Sequence, residues 1–133
     1  MSWQDLDHDA CVRFLSETSL GRLAFTDAES RLTVLPVNYH WDGEGVLIRT
    51  GAGSKLASAA RRQSVAFEID SGDTGPQDHS WSVLLRGTAD VMPDASGAST
   101  LETVNVSGWI GRDRPVFIRI DPTEMTGREL LPA

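Results

Sequence analysis

Residues 21–50 read GRLAFTDAESRLTVLPVNYHWDGEGVLIRT and carry the clearest strand and turn signals of the chain. It contains three apolar runs separated by two short polar segments with turn-forming residues. The runs are residues 22–26, 31–41 and 46–50, and the polar segments are residues 27–30 and 42–45. Segments this short join neighbouring antiparallel strands, so the stretch predicts three antiparallel β-strands in succession.

The rest of the chain predicts more strands and a few short helices. Gly87 lies inside one predicted strand, where a glycine marks a bulge or bend. Further strands are predicted over residues 64–69, 81–92 and 114–125, and helices over 7–18, 55–62 and 96–106. The fold class is therefore mostly β, with about six antiparallel strands in one domain spanning residues 1–133. A closed or nearly closed barrel is expected because it removes exposed sheet edges.

Composition limits the partners and the compartment. The 133 residues carry 12 Lys+Arg against 19 Asp+Glu, a net charge of −7, which argues against nucleic acid or an anionic membrane as the main partner. Cys11 is the single cysteine, which fits a reducing compartment. The acidic N-terminus does not resemble a signal peptide, and no run approaches the roughly 18 apolar residues that span a bilayer. We therefore expect a cytoplasmic protein.

Residues 48–56, IRTGAGSKL, suit a phosphate group. Arg49 can make paired hydrogen bonds to phosphate oxygens, and Lys55 adds a point charge. Thr50 and Ser54 supply hydroxyls, and the predicted helix start supplies backbone N–H groups. Alternatively, Ser54 only caps the helix while Arg49 and Lys55 are solvated. The stretch does not fit the GxxxxGK[ST] pattern of a nucleotide-triphosphate loop.

Two other segments are candidates for ligand binding. Pro36 interrupts a predicted strand, so backbone groups nearby could bond a ligand ring, and Asn38 offers both a donor and an acceptor. An ordinary edge strand is the alternative interpretation. Trp81 could cover a planar ligand, lie at a subunit interface or simply pack in the core.

Several chemistries lack their sequence signals. The three histidines (His8, His40 and His79) lie apart and show no metal-ligand spacing with Cys11. Cys11 itself is interpreted as a buried packing residue rather than a nucleophile. No GxSxG nucleophile elbow and no complete GxGxxG fingerprint is present. Glu68 and Asp70 are interpreted as a solvated strand face rather than a catalytic pair. No side chain is predicted to be catalytic.

Taken in order, these segments resemble the pyridoxamine 5'-phosphate oxidase-like, FMN-binding split-barrel superfamily, and within it the branch that includes nitroimidazole-reductase-like proteins. The residues that carry the resemblance are GRLAF at 21–25, LPVNY at 35–39, RTG at 49–51 with SKL at 54–56, VAFEID at 65–70, WSV at 81–83 with RG at 86–87, and FIRI at 117–120 leading to TGR at 126–128. The resemblance covers nearly the whole chain.

The resemblance implies a six-stranded split barrel that forms a homodimer with FMN at the interface. The ring of the flavin would lie along Pro36, Val37 and Asn38. Its phosphate would be held by Arg49, Thr50, Ser54 and Lys55, whereas Trp81, Ser82 and Trp109 would approach the flavin, the first two from the other subunit.

The resemblance also implies an oxidoreductase that acts on a small organic acceptor. The chain lacks the C-terminal Arg-x-His substrate motif of pyridoxamine phosphate oxidases, so that substrate is not expected. Two alternatives stay open. One is the deazaflavin F420, for which Arg61, Arg62 and Arg86 are extra basic candidates; the other is a non-catalytic flavin carrier. Haem is also bound by some members of this superfamily.

Overall fold

The computed structural model describes residues 2–72, 79–92 and 115–131, which form seven strands and two helices. The strands are β1 (Ser2–Asp5), β2 (Leu20–Thr26), β3 (Leu32–Trp41), β4 (Val46–Gly51), β5 (Arg61–Asp70), β6 (Ser80–Val91) and β7 (Pro115–Leu131), and the helices are α1 (His8–Glu17) and α2 (Lys55–Ala59). The predicted helix at 96–106 and Trp109 lie outside the described residues.

Six of the strands close into a ring. The order β7-β4-β3-β2-β5-β6 is completed by pairing of β6 with β7, and every pairing is antiparallel. The predicted fold class is confirmed, and the arrangement is consistent with a split barrel. β1 is an additional strand on the edge of β7 that the sequence did not predict, because its four residues are all exposed and show no apolar alternation.

Alternation along the strands sends one set of side chains into a single core. Tyr39 is buried there; its hydroxyl donates to the backbone carbonyl of Leu15 at 2.8 Å, and its ring meets Phe67 edge to face. Burial raises the pKa of Tyr39 above its ordinary value. The largest fully buried side chains are Phe67, Leu15, Leu23, Leu47, Ile48, Ile69, Leu85, Ile118, Ile120, Val46 and Val83.

The first helix and the first turn follow their predictions. Asp7 caps α1 by accepting from the Ala10 N–H at 2.8 Å, and Cys11 is buried as expected. In the turn after β2, the buried Asp27 carboxylate accepts from the Arg31 and Glu29 N–H groups, each at 3.0 Å. These hydrogen bonds, that from Arg31 foremost, hold the pKa of Asp27 below its ordinary value, so this turn depends on an ionised carboxylate.

Helix α2 is shorter than predicted, ending at Ala59 rather than 62. The side chain of Gln63 explains the early end, because it donates to the Ala59 carbonyl and also pairs with the backbone of Thr26 on β2. Arg62 adopts a positive φ of 53° at this change of direction. The chain can therefore enter β5 at Arg61, three residues before the predicted start.

Strand β7 carries a bulge that Gly87 makes possible. Arg86 pairs with Glu124 and Gly87 with Pro122, so Thr123 is the extra residue. A Cβ at Gly87 would lie 2.2 Å from the Asp121 carbonyl oxygen, which leaves no room for a side chain. The predicted bulge is confirmed. The strand also runs to 131, past its predicted end at 125, because its last residues pair with both β6 and β1.

Candidate functional site

A cleft opens where β3 and β4 separate. The two strands pair only through Tyr39–Trp41 and Val46–Ile48. Beyond that point β3 continues along β2, whereas β4, which pairs with β7 along its whole length, runs on to Gly51. Pro36, on the diverging part of β3, has no N–H to offer a neighbouring strand, which suits an unpaired edge.

The cleft has a volume of about 150 Å³ and unites the two segments that the sequence singled out. Its lining residues are Leu35, Pro36, Val37, Asn38, Ile48, Arg49, Thr50, Ser54 and Leu56. Six of the ten predicted cofactor residues are therefore brought together. Leu35, Ile48 and Leu56 also line the cleft but were not predicted to do so. They are apolar residues next to predicted ones in the sequence, and that position alone could have pointed to them.

The hydroxyls of Thr50 and Ser54, two of the residues predicted to hold a phosphate, are linked by a hydrogen bond. Ser54 Oγ accepts from the Ala57 N–H at 3.0 Å, which makes Ser54 the N-cap of α2, and the Thr50 hydroxyl donates to the same oxygen at 2.8 Å. Ser54 thus caps the helix and lines the cleft at once. Arg49 is half-buried in the lining, whereas Lys55 is exposed, follows Ser54 directly and is not among the lining residues.

Trp81 and Ser82 do not line the cleft formed by the described part of this chain. The ring of Trp81 stacks on Phe14 of α1 with 4.0 Å between centroids, and Ser82 pairs across strands with Asp70. This stacking agrees with the interpretation of Trp81 as a residue that simply packs in the core. An approach of either residue to a cofactor stays a prediction.

An ion cluster lies on the outer face of the sheet beside the cleft. Arg22, the cross-strand neighbour of Pro36, contacts Asp70 at 2.7 Å and Glu68 at 3.2 Å. Burial, together with the adjacent Asp70, raises the pKa of Glu68. Glu68 and Asp70 were expected to form a solvated strand face. They are instead half-buried, and both form ion pairs with Arg22.

The same outer face carries exposed apolar side chains. Leu32 is 91% exposed, Val34 63% and Leu20 53%, and Val34 lies two residues before Pro36 on β3. A groove of about 330 Å³ runs along this face between β2, β3 and β5. Exposed apolar side chains of this size are typical of an interaction surface. Leu32 and Val34 lie at one end of the β2–β3 pair, and Leu20, opposite Asn38, lies at the other end, beyond the Arg22 ion cluster.

Comparison with known proteins assigns the family. The family model described as pyridoxamine 5'-phosphate oxidase matches residues 7–129. The chain belongs to this family. The family match includes β3, β4 and α2, which form the cleft, and the structure keeps the six-stranded ring that the resemblance implied.

The chain is also similar to individual proteins and solved structures. An uncharacterized protein of Mycobacterium tuberculosis strain H37Rv is 34% identical over 86 residues, covering 65% of this chain and 76% of the relative. The structure of an FAD binding protein from Mycobacterium smegmatis aligns with a TM-score of 0.80 and 29% identity over 98% of this chain and 100% of that one. A candidate 5-nitroimidazole antibiotic resistance protein from Bacteroides thetaiotaomicron shares the fold at 13% identity, with a TM-score of 0.74 over 97% and 89% of the two chains.

No helix within residues 2–72, 79–92 and 115–131 is long and apolar enough to cross a membrane.

Proposed function

We propose that this chain binds a flavin, FMN, in the cleft between β3 and β4 and serves as an oxidoreductase for a small organic acceptor. The observation that carries the proposal is the meeting of Pro36–Asn38 with Arg49, Thr50 and Ser54 in one cleft. The first group offers an unpaired strand edge to a planar ring, and the second offers a guanidinium and two hydroxyls to a phosphate. The FAD binding protein of M. smegmatis, similar along its whole length, supports a flavin as the cofactor.

We further propose that the site is completed by a second copy of the chain. A volume of about 150 Å³ is below the roughly 300–1,000 Å³ of common ligand pockets, so one chain supplies only part of a flavin site. The exposed apolar side chains of Leu32, Val34 and Leu20 would be buried in a homodimer. Trp81 and Ser82 would then reach the flavin from the partner, as the family resemblance implies.

The residues in the cleft indicate which part of the reaction the protein would carry out and which part the flavin would. A bound flavin supplies hydride transfer, and the protein supplies binding, orientation and exclusion of water. Arg49 would fix the phosphate end, and the β3 edge at Val37 and Asn38 would fix the ring plane. Cytoplasmic location stays a prediction from the sequence.

The double variant Arg49→Ala/Lys55→Ala tests the cleft. Loss of a charge-assisted contact and a nearby positive charge should weaken FMN binding by at least about tenfold. The matched control, Arg13→Ala/Arg31→Ala, removes two exposed positive charges away from the cleft and should leave the FMN Kd within about twofold. Equal FMN affinity in both variants would refute the proposed site.

The identity of the flavin is settled by titrating the same purified protein with FMN, FAD and F420 and following flavin fluorescence. We expect the tightest binding for FMN. Much tighter binding of F420 would instead favour the deazaflavin alternative and give Arg61, Arg62 and Arg86 a role. A bound flavin that no nicotinamide donor reduces, and that reduces no nitro or quinone acceptor, would favour a carrier.

A further inference from the structure

His40 lies on the outer face of β3, next to residues of the cleft. Its two neighbours in the strand, Tyr39 and Trp41, belong to the buried core. Successive side chains of a strand point to opposite faces, so His40 points away from the core, as Pro36 and Asn38 do. Residues two apart on one face of a strand are about 7 Å apart, which makes His40 the next side chain after Asn38 on that face.

Strand β4 brings Arg49 to the same outer face. Ile48 belongs to the main core, whereas Leu47 belongs to a separate apolar cluster. Arg49 is two residues after Leu47 and therefore shares its face of the sheet. His40 pairs with Leu47 across the strands, and the pairing ends one step further on, at Tyr39 with Ile48. His40 thus lies at the closed end of the cleft, where β3 and β4 still touch.

The predicted phosphate contacts lie toward the other end of the cleft. Thr50 follows Arg49 on β4, and Ser54 begins α2 beyond it. Because β3 and β4 are antiparallel, the step from Arg49 to Thr50 leads away from His40. Continuing the register of the paired residues puts Thr50 level with Val37, about 10 Å along the strands from His40. The ring of a flavin bound as proposed is therefore the part of the cofactor nearest to His40.

His40 is half-buried, and no hydrogen bond or ion pair of its ring is found among the residues that the structure describes. Neither ring nitrogen is among the unpaired side-chain atoms that are buried from solvent, so a ligand on the outer face can reach them. Other charged groups of this face are already paired, Arg22 with Asp70 and Arg119 with Asp42. Half-buried polar groups normally have a partner, and His40 has the capacity for one.

We propose that His40 donates a hydrogen bond to a polar atom on the edge of the flavin ring and so extends the flavin site beyond the cleft. The inference rests on the proposed function, since it requires a flavin in this cleft. An imidazole carries one N–H donor when neutral and two when protonated, and the flavin ring carries carbonyl oxygens and nitrogens that accept. Asn38 and His40 would then hold the ring from two successive positions of one strand face, which fixes its orientation.

Riboflavin, which lacks the phosphate, separates a contact with the ring from a contact with the phosphate. His40→Phe removes the donor and should weaken the binding of both FMN and riboflavin about three- to tenfold, as expected for the loss of one hydrogen bond. His40→Gln keeps an N–H donor and should restore most of the affinity for both. The control is His8→Phe, an exposed histidine at the start of α1, which should bind both like the original chain. Each Kd is measured on the full chain by flavin fluorescence.

NMR of the histidine rings provides a second readout that does not depend on affinity. The full chain is labelled with ¹⁵N-histidine and titrated with FMN, and His40→Gln assigns the His40 signals. We expect these signals to shift saturably, with the Kd found by fluorescence. The His8 signals should stay in place.

Several outcomes would overturn the contact with His40. They are an unchanged FMN Kd in H40F, His40 signals that do not move at saturating FMN, and equal losses in H40F and H40Q, which would make the N–H donor irrelevant. A loss in H40F for FMN but not for riboflavin would place His40 at the phosphate and also overturn it. Failure of the proposed function has a different signature, because the original chain would then bind neither FMN nor riboflavin.

Discussion

Replacing Ser54 by alanine should damage both the local fold and the cleft. The Ser54 hydroxyl oxygen accepts the Ala57 N–H at 3.0 Å and the Thr50 hydroxyl at 2.8 Å. Loss of the cap costs about 1 kcal/mol, and loss of the Thr50 hydrogen bond adds about 0.5–1.5 kcal/mol. We therefore expect Ser54→Ala to lower the free energy of unfolding by about 1.5–2.5 kcal/mol.

The assay for Ser54→Ala combines chemical denaturation with FMN titration. Ser58→Ala is the matched control, since Ser58 lies on the same helix and its exposed hydroxyl donates only to the Ser54 and Lys55 carbonyls. Ser54→Thr should restore most of the stability, because threonine is also a good N-cap. FMN binding should weaken in Ser54→Ala and not in Ser58→Ala.

The results of these variants separate two accounts of Ser54. A loss of stability with unchanged FMN affinity would leave Ser54 as a helix cap alone and refute its role in binding. Stability equal to that of Ser58→Ala would refute the hydrogen-bond reasoning itself.

Three further predictions concern the framework of the barrel. Gly87→Ala should lower the free energy of unfolding by more than about 2 kcal/mol, because the new Cβ would meet the Asp121 carbonyl oxygen at 2.2 Å; an unchanged melting temperature would contradict this. Tyr39→Phe should cost about 1–3 kcal/mol in denaturant unfolding, because it removes the buried hydrogen bond to the Leu15 carbonyl; a neutral change would show that water replaces the hydroxyl. The pKa of Asp27 in the folded chain is below its ordinary 3.8, so the ionised carboxylate stabilises the fold fully above pH 3.8, and this stabilisation is lost as the pH falls through the lower folded pKa. In a series of unfolding free energies measured against pH, Asp27→Asn should therefore lose less stability on acidification than the original chain. An identical loss in both would refute the role of the Asp27 carboxylate.

The strands and turns could be predicted because their signals are local. Alternation of apolar residues and turn-forming residues marks β2 to β4, and the glycine at 87 marks the bulge that the structure contains. By contrast, β1 has no apolar alternation and exists because the edge of β7 is available to it. The early end of α2 depends on Gln63 reaching back to the Ala59 carbonyl, a tertiary contact that helix propensity does not encode.

Six of the nine residues that line the cleft followed from local signals, but their meeting in one place did not. Pro36 and Asn38 lie far along the chain from Ser54, and only the separation of β3 from β4 places them in one cleft. Nor could the sequence show that the buried Trp41 Nε1–H has no hydrogen-bond partner among the described residues, because a strand pattern indicates burial and not hydrogen bonding. Trp81 could be predicted to be apolar packing, and within one chain its ring stacks on Phe14.

Binding of FMN by this chain can be tested by the absorbance spectrum of the freshly purified protein, followed by heat release and identification of any chromophore. We expect the absorption bands of an oxidised flavin, with FMN released on heating. A colourless protein that also fails to bind added FMN would refute FMN binding and would leave the family assignment and the barrel without the proposed function.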